Sequence, residues 1–190
     1  FLDFAYQGFG DGIDADGAAV RLFADSNINF FVASSFSKSF SLYGERVGAL
    51  TIVTSDKDEA QRVLSQLKRV IRTNYSNPPT HGGSVVAAVL TSPSLRALWE
   101  QELGQMRERI KAMRARLVEG LKALGVKRDF SFMLRQRGMF SYSGLTPAQV
   151  ERLQKDFGIY AVSTGRICVA ALNSNNVDYV CDAIAAVLED

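Results

Sequence analysis

Two cysteines, one histidine and a net charge of only +2 do most to limit what this 190-residue chain can be. Cys168 and Cys181 form neither a disulfide framework nor a metal-ligand pattern, which fits a reducing, cytoplasmic setting. The single histidine, His81, has no partner pattern and reads as a residue at a helix start rather than a catalyst. No metal site is expected. Basic residues are interleaved with acidic ones, so nothing suggests a nucleic-acid partner. No apolar run reaches the ~20 residues needed to span a bilayer, and no segment resembles a signal peptide, so no membrane partner is expected. Internal repeats and low-complexity segments are absent. What is present is 47% hydrophobic and 22% charged residues, enough to bury a core and too apolar for disorder. The length suits one domain, or one small domain plus part of another. The sequence opens on Phe1 inside what reads as a strand, and this start is read as a cut in a longer protein, since a terminus frays unless it is tied down.

Periodicity predicts alternating strands and helices in the first half: a strand at 1–4, a helix over 14–26, strands at 29–33 and 47–53, and a helix over 56–72 with Val63, Leu64, Leu67, Val70 and Ile71 on its apolar face. Asn77-Pro78-Pro79 breaks this helix, and Thr80 can cap the next one, which runs to about Leu90. Such alternation argues for an α/β sheet. One long helical pattern follows over 93–124, with a stripe of Leu95, Leu98, Leu103, Met106, Ile110, Met113, Leu117, Leu121 and Leu124. At ~30 residues it far exceeds the usual length. It reads either as a coiled coil or as a helix bridging two packed units. Strands at 130–134 and 139–143, a helix over 146–157, short strands near Tyr160 and at 167–172, and a helix over 174–188 read as a compact α+β unit.

The most informative stretch is Phe30-Phe31-Val32-Ala33-Ser34-Ser35-Phe36-Ser37-Lys38-Ser39-Phe40, followed by Arg46 and another strand. An apolar strand delivers a lysine into a loop of hydroxyl residues. Serine hydroxyls and a guanidinium suit a phosphate monoester, because arginine binds it bidentately. The glycine-rich spacing of a P-loop is missing. A lysine forming a Schiff base on a phosphate-bearing cofactor fits, as does a solvated lysine in a polar loop. Ser35-Phe36-Ser37-Lys38 also satisfies the S-x-x-K pattern of serine acyl-transfer enzymes, but their S-D-N and K-T-G companions do not occur. Asp3-Phe4-Ala5-Tyr6 forms a second constellation. Its carboxylate could be a cap or a surface group, or could pair with a pyridinium nitrogen.

The motifs D-F-A-Y-Q-G-F, S-F-S-K-S-F-S-L-Y-G-E-R-V-G, N-Y-S-N-P-P, R-G-M-F-S-Y-S-G-L and G-R-I-C-V-A together resemble class I aminotransferases of the aspartate/aromatic branch. The resemblance covers essentially the whole chain in the family's order. The loop S-L-Y-G-E-R, with Q-R-G-M-F-S-Y and C-V-A-A-L-N, is more similar to bacterial aromatic-amino-acid (tyrosine) aminotransferases than to strict aspartate enzymes. The resemblance implies an α/β fold, the C-terminal part of the fold type I large domain over 1–105 and a small α+β C-terminal domain over 106–190, bridged by the long helix. It implies pyridoxal 5'-phosphate as cofactor, with Lys38 as the Schiff-base lysine, Asp3 on the pyridine nitrogen, Tyr6 on the ring oxygen, and Ser35, Ser37 and Arg46 around the phosphate. Arg166 is then the clamp on the substrate α-carboxylate. Arg72 reaches a neighbouring subunit's site to hold a second carboxylate, and Phe140 forms an aromatic wall. The activity implied is transfer of the amino group of tyrosine, phenylalanine or aspartate to 2-oxoglutarate by a cytoplasmic homodimer, with this stretch inactive alone. Aspartate transamination proper, and a fold-related lyase or synthase using the same cofactor, are the alternatives. Residue type alone also allows Arg72 to be a helix-end cation, Arg166 a surface salt bridge, Tyr43 and Tyr75 packing residues, and Trp99 a core residue.

Overall fold

The run Phe30-Phe31-Val32-Ala33 is aromatic, β-branched and small, and it becomes the middle strand of the first sheet. The computed structural model describes residues 1–189. Here β1 (Leu2–Phe4), β2 (Phe30–Ser35) and β3 (Gly48–Val53) lie in the order β1-β2-β3, with β1 parallel and β3 antiparallel to β2. The register aligns Asp3 with Ala33 and Ser35 with Gly48. Side chains alternate across the sheet, so Phe30 and Val32 are buried on one face while Phe31 and Leu50 of the other face are exposed. Two short helices, α1 (Ile13–Asp16) and α2 (Ala18–Asp25), join β1 to β2, and α3 (Lys57–Asn74) and α4 (His81–Thr91) follow β3.

Two compact units emerge, Phe1–Gly104 and Gln105–Asp190. The long helix α5 (Pro93–Ala123) contributes to both. In the second unit, β4 (Phe140–Tyr142) and β5 (Arg166–Cys168) form an antiparallel pair. Helices α6 (Pro147–Phe157) and α7 (Val177–Leu188) pack with them around Leu117, Leu121, Met133, Leu153, Val169 and Ile184, all nearly inaccessible. Helix α6 begins with the capping box of Thr146 and Gln149 and stops at Gly158, whose left-handed backbone closes the last turn.

Several expectations are corrected. The helix expected over 14–26 is broken at Gly17, because the Asp16 carboxylate turns back to accept from the amides of Gly8, Gly10 and Asp11. Thr80 precedes α4 without a side-chain capping bond. Residues 130–134 are not a strand: the Asp129 carboxylate accepts from both the amide and hydroxyl of Ser131, starting a 3-10 turn over Ser131–Arg135. These two bonds hold the Asp129 carboxyl below its ordinary range. No strand forms near Tyr160, where the chain leaves α6 through the Gly158 turn and Tyr160 stays exposed. Strand β5 ends at Cys168 and passes into a 3-10 turn at Val169–Ala171. The terminal helix starts at Val177, since Asn173 and Asn176 bond each other's loop first. Leu64 and Val70 of α3, Leu95 and Leu98 of α5, and Leu124 just past its end are exposed; only the middle of the expected stripe is core. Tyr43 and Tyr75 are half exposed rather than packed.

Candidate functional site

Parallel strands β1 and β2 end side by side, so the segments leaving them emerge at one edge of the sheet. That edge is where open α/β sheets place ligands. From β1 comes the Tyr6 turn; from β2 comes the Lys38 loop. Antiparallel β3 starts at the same edge, two residues after Arg46. The Lys38 Nζ sits 4.5 Å from the centre of the Tyr6 ring. Among the described residues Lys38 makes no ion pair, and the exposed Asp3 carboxylate makes neither a hydrogen bond nor an ion pair.

The loop that carries Lys38 is held from several sides. The Phe36 amide donates to Val47 O (3.2 Å) and the Phe40 amide to Phe36 O (3.2 Å). The Ser35 hydroxyl accepts from the Ser37 amide at 3.2 Å, while Ser37 and Ser39 are buried. The Trp99 indole N–H donates to Ser39 O at 2.7 Å, and its ring stacks on Phe40 at 4.5 Å. Arg46 adopts a left-handed backbone (φ 51°), uncommon for a side chain of this size, and donates one N–H to Tyr43 O. The rest of its guanidinium has no bonded partner among the described residues.

Tyr6 is positioned by the three amides converging on Asp16, at 2.8–2.9 Å, which close the turn that follows it. Gly8, inside that turn, has φ +95° and lies against Leu103, so a side chain there would be strained and crowded. Arg72 lies in the last turn of α3, exposed, donating to the Ser76 hydroxyl. In the second unit, Arg166 and Phe140 share the outward face of the β4–β5 pair, with the guanidinium 4.9 Å from the ring centre. The backbone therefore places Lys38, Tyr6, Ser35 and Arg46 at one edge of the sheet, with Asp3 one residue inside β1; Lys38 and Tyr6 are in contact, as are Arg166 and Phe140. A wide groove of about 940 Å³ lined by Phe31, Ile52, Leu67 and Val70 contains none of these groups.

Residues 1–184 match the family described as aminotransferase class I and II. The chain belongs to this family. It is 73% identical over 188 residues to the aspartate aminotransferase of Pseudomonas aeruginosa, covering 99% of this chain and 47% of that protein. Against the aromatic-amino-acid aminotransferase of Escherichia coli it is 52% identical over 188 residues, covering 99% and 47%. The crystal structure of an aromatic-amino-acid aminotransferase from Burkholderia pseudomallei, covalently bound to pyridoxal phosphate, superposes with a TM-score of 0.97 at 76% identity. It covers 100% of this chain and 47% of that one. The chain thus spans about half the length of the relatives it matches. Identities of 53% and 52% to the Escherichia coli aspartate and aromatic-amino-acid enzymes do not separate the two substrate classes.

Sequence reasoning missed Asp16, the Trp99 hydrogen bond, and two arginines of α5. Arg109 donates to Leu172 O and Ala170 O, both at 2.8 Å. Arg114 is 3% exposed and donates to the Ser141 hydroxyl at 3.0 Å and to Gly138 O. A signal for Arg114 was present: it lies four residues after Ile110 and three before Leu117, on the buried stripe itself. Among the described residues, no helix is long and apolar enough to cross a membrane, and no cluster could hold a metal ion.

Proposed function

We propose that this chain is the C-terminal portion of a pyridoxal-phosphate-dependent aminotransferase that moves the amino group of tyrosine, phenylalanine or aspartate to 2-oxoglutarate. The placement of Lys38, Tyr6, Ser35 and Arg46 at one sheet edge, with Asp3 one residue inside β1, carries this reading. Their chemistry suits the cofactor: an amine, a phenol, a carboxylate, and a hydroxyl with a guanidinium for a phosphate. In this reading residues 1–105 belong to the large cofactor-binding domain and 106–190 form the small domain. The protein works in the cytoplasm as a homodimer.

When bound, the cofactor supplies a carbonyl carbon that takes up amino groups and a ring that draws electrons from the substrate's α-carbon. Lys38 Nζ is the covalent anchor, and as a free amine it takes and returns the α-carbon proton. Asp3 Oδ keeps the ring nitrogen protonated, and the Tyr6 hydroxyl donates to the ring oxygen. Arg46, with Ser35 and Ser37 in its loop, grips the phosphate. Arg166 clamps the α-carboxylate that every substrate shares, and Phe140 walls the substrate beside it. Arg72 reaches a second subunit's site and meets a side-chain carboxylate only when the substrate has one.

The two arginines separate in kcat/KM. In the full-length protein, Arg166→Ala lowers it for tyrosine and aspartate alike. Arg72→Leu lowers it for aspartate by on the order of 2–5 kcal/mol, because a substrate carboxylate is desolvated without its partner. For phenylalanine the same change is nearly neutral. Equal losses for aspartate and phenylalanine in Arg72→Leu would contradict the role given to Arg72.

A further inference from the structure

Arg114 is a buried cation without a counter-ion. It is 3% exposed, and among the described residues it forms no ion pair; both acceptors it meets, the Ser141 hydroxyl and Gly138 O, are neutral. Burial alone pushes its pKa below the ordinary arginine value, with no acidic group opposing the shift. Leucine or methionine would fill the stripe between Ile110 and Leu117 without this desolvation. The guanidinium must therefore do something that an apolar side chain cannot.

What it grips is the back of β4. Side chains alternate along a strand, so Ser141, 2% exposed, points inward while Phe140 and Tyr142 point outward. The Arg114 Nε takes the Ser141 hydroxyl, and its Nη2 takes the carbonyl of Gly138, which sits in a left-handed turn (φ +84°) two residues before Phe140. One rigid, planar fork thus fixes the strand on either side of Phe140. The Phe140 ring lies under the Arg166 guanidinium at 4.9 Å, and Arg166 sits opposite Tyr142 on β5. Five residues earlier on α5, Arg109 holds Ala170 O and Leu172 O, where the chain leaves β5. Arginines of one helix thus fasten β4 and the turn that follows β5.

We propose that Arg114 is a positioning residue for the carboxylate clamp: through Ser141 and Gly138 it sets where Phe140, and with it the Arg166 guanidinium, meets the substrate carboxylate. The proposal rests on the reading of Arg166 as that clamp. Catalysis demands placement well within 1 Å, so a strand held only by its two-stranded pairing would leave the clamp loose.

The test uses the full-length holoenzyme and 3-phenylpropionate, an unreactive monocarboxylate, titrated by the change in cofactor absorbance, with thermal unfolding recorded for each variant. Arg114→Met weakens 3-phenylpropionate binding about tenfold, the scale of losing hydrogen bonds from a charged group. KM for tyrosine and aspartate rises by a similar factor, while kcat changes less. Arg114→Lys, which keeps the charge and one donor, recovers part of the affinity. If Arg114→Met does not fold, Ser141→Ala takes its place; it removes one acceptor, and about threefold weaker binding is expected. A folded Arg114→Met or Ser141→Ala protein with a dissociation constant within about twofold of wild type overturns the proposal, since a merely structural role lowers the unfolding temperature without touching affinity. Arg166→Ala tests the underlying reading separately. Strong weakening there, with none in Arg114→Met, retains the clamp and removes only Arg114. No weakening in Arg166→Ala removes both.

Discussion

Replacing Trp99 with phenylalanine isolates one of the contacts that hold the Lys38 loop. The indole N–H donates to Ser39 O at 2.7 Å, and the ring stacks on Phe40 with centroids 4.5 Å apart and planes 19° apart. Phenylalanine keeps a ring over Phe40 but loses the donor to the carbonyl of Ser39, a residue only 9% exposed. A net hydrogen bond contributes about 0.5–1.5 kcal/mol, and leaving a mostly buried carbonyl unpartnered moves the loss toward the upper end, so about 1–2 kcal/mol is expected. Trp99→Leu also removes the stacked pair, adding about 0.5–1.5 kcal/mol beyond the lost area. Urea unfolding of the full-length protein, with midpoint and slope measured for both variants, gives these differences directly. The loop carries Lys38, the proposed cofactor lysine, so the rate of cofactor loss on dilution is expected to rise in the same order. If both variants unfold within about 0.3 kcal/mol of wild type, Trp99 is not a clamp and the account of the loop is wrong.

Arg46→Gln lowers cofactor affinity by about 1.5–3 kcal/mol, the range for hydrogen bonds from a charged group; equilibrium binding measures it, and an unchanged affinity puts the phosphate elsewhere. The two thiols separate in alkylation. Cys168 is exposed on β5, whereas burial first, then the neighbouring Asp178 and Asp182, push the Cys181 thiol up to about 11. Peptide mapping after brief treatment at pH 8 finds modified Cys168 and intact Cys181; equal labelling would show that α7 does not pack as described.

How far the sequence could be read varied with the physics behind each residue. Strong periodicity exposed α3, α5, α6 and β2, because an apolar face with clear boundaries leaves little choice. Motif order singled out Lys38, Arg46 and Arg166 as candidates, through resemblance to a family rather than through periodicity. Local side-chain bonds were not legible: Asp129 turned an apolar run into a 3-10 turn, and Asp16 broke a helix to fasten the Tyr6 turn. Such bonds compete with regular structure and leave no periodic trace. Arg114 was hidden differently, since a stripe reads as apolar and its one charged member passes as an interruption. The apolar face of α3 was legible, but its exposure was not, because covering that face depends on partners outside the helix.

The central claim is that Lys38 carries the cofactor. Borohydride reduction of the full-length holoenzyme fixes the link between cofactor and lysine, and a tryptic mass map then locates it. The account predicts the cofactor on the peptide containing Lys38, lost in Lys38→Ala together with nearly all turnover while the fold survives. Cofactor mapped to a different lysine, or turnover that persists in Lys38→Ala with cofactor bound, would contradict it.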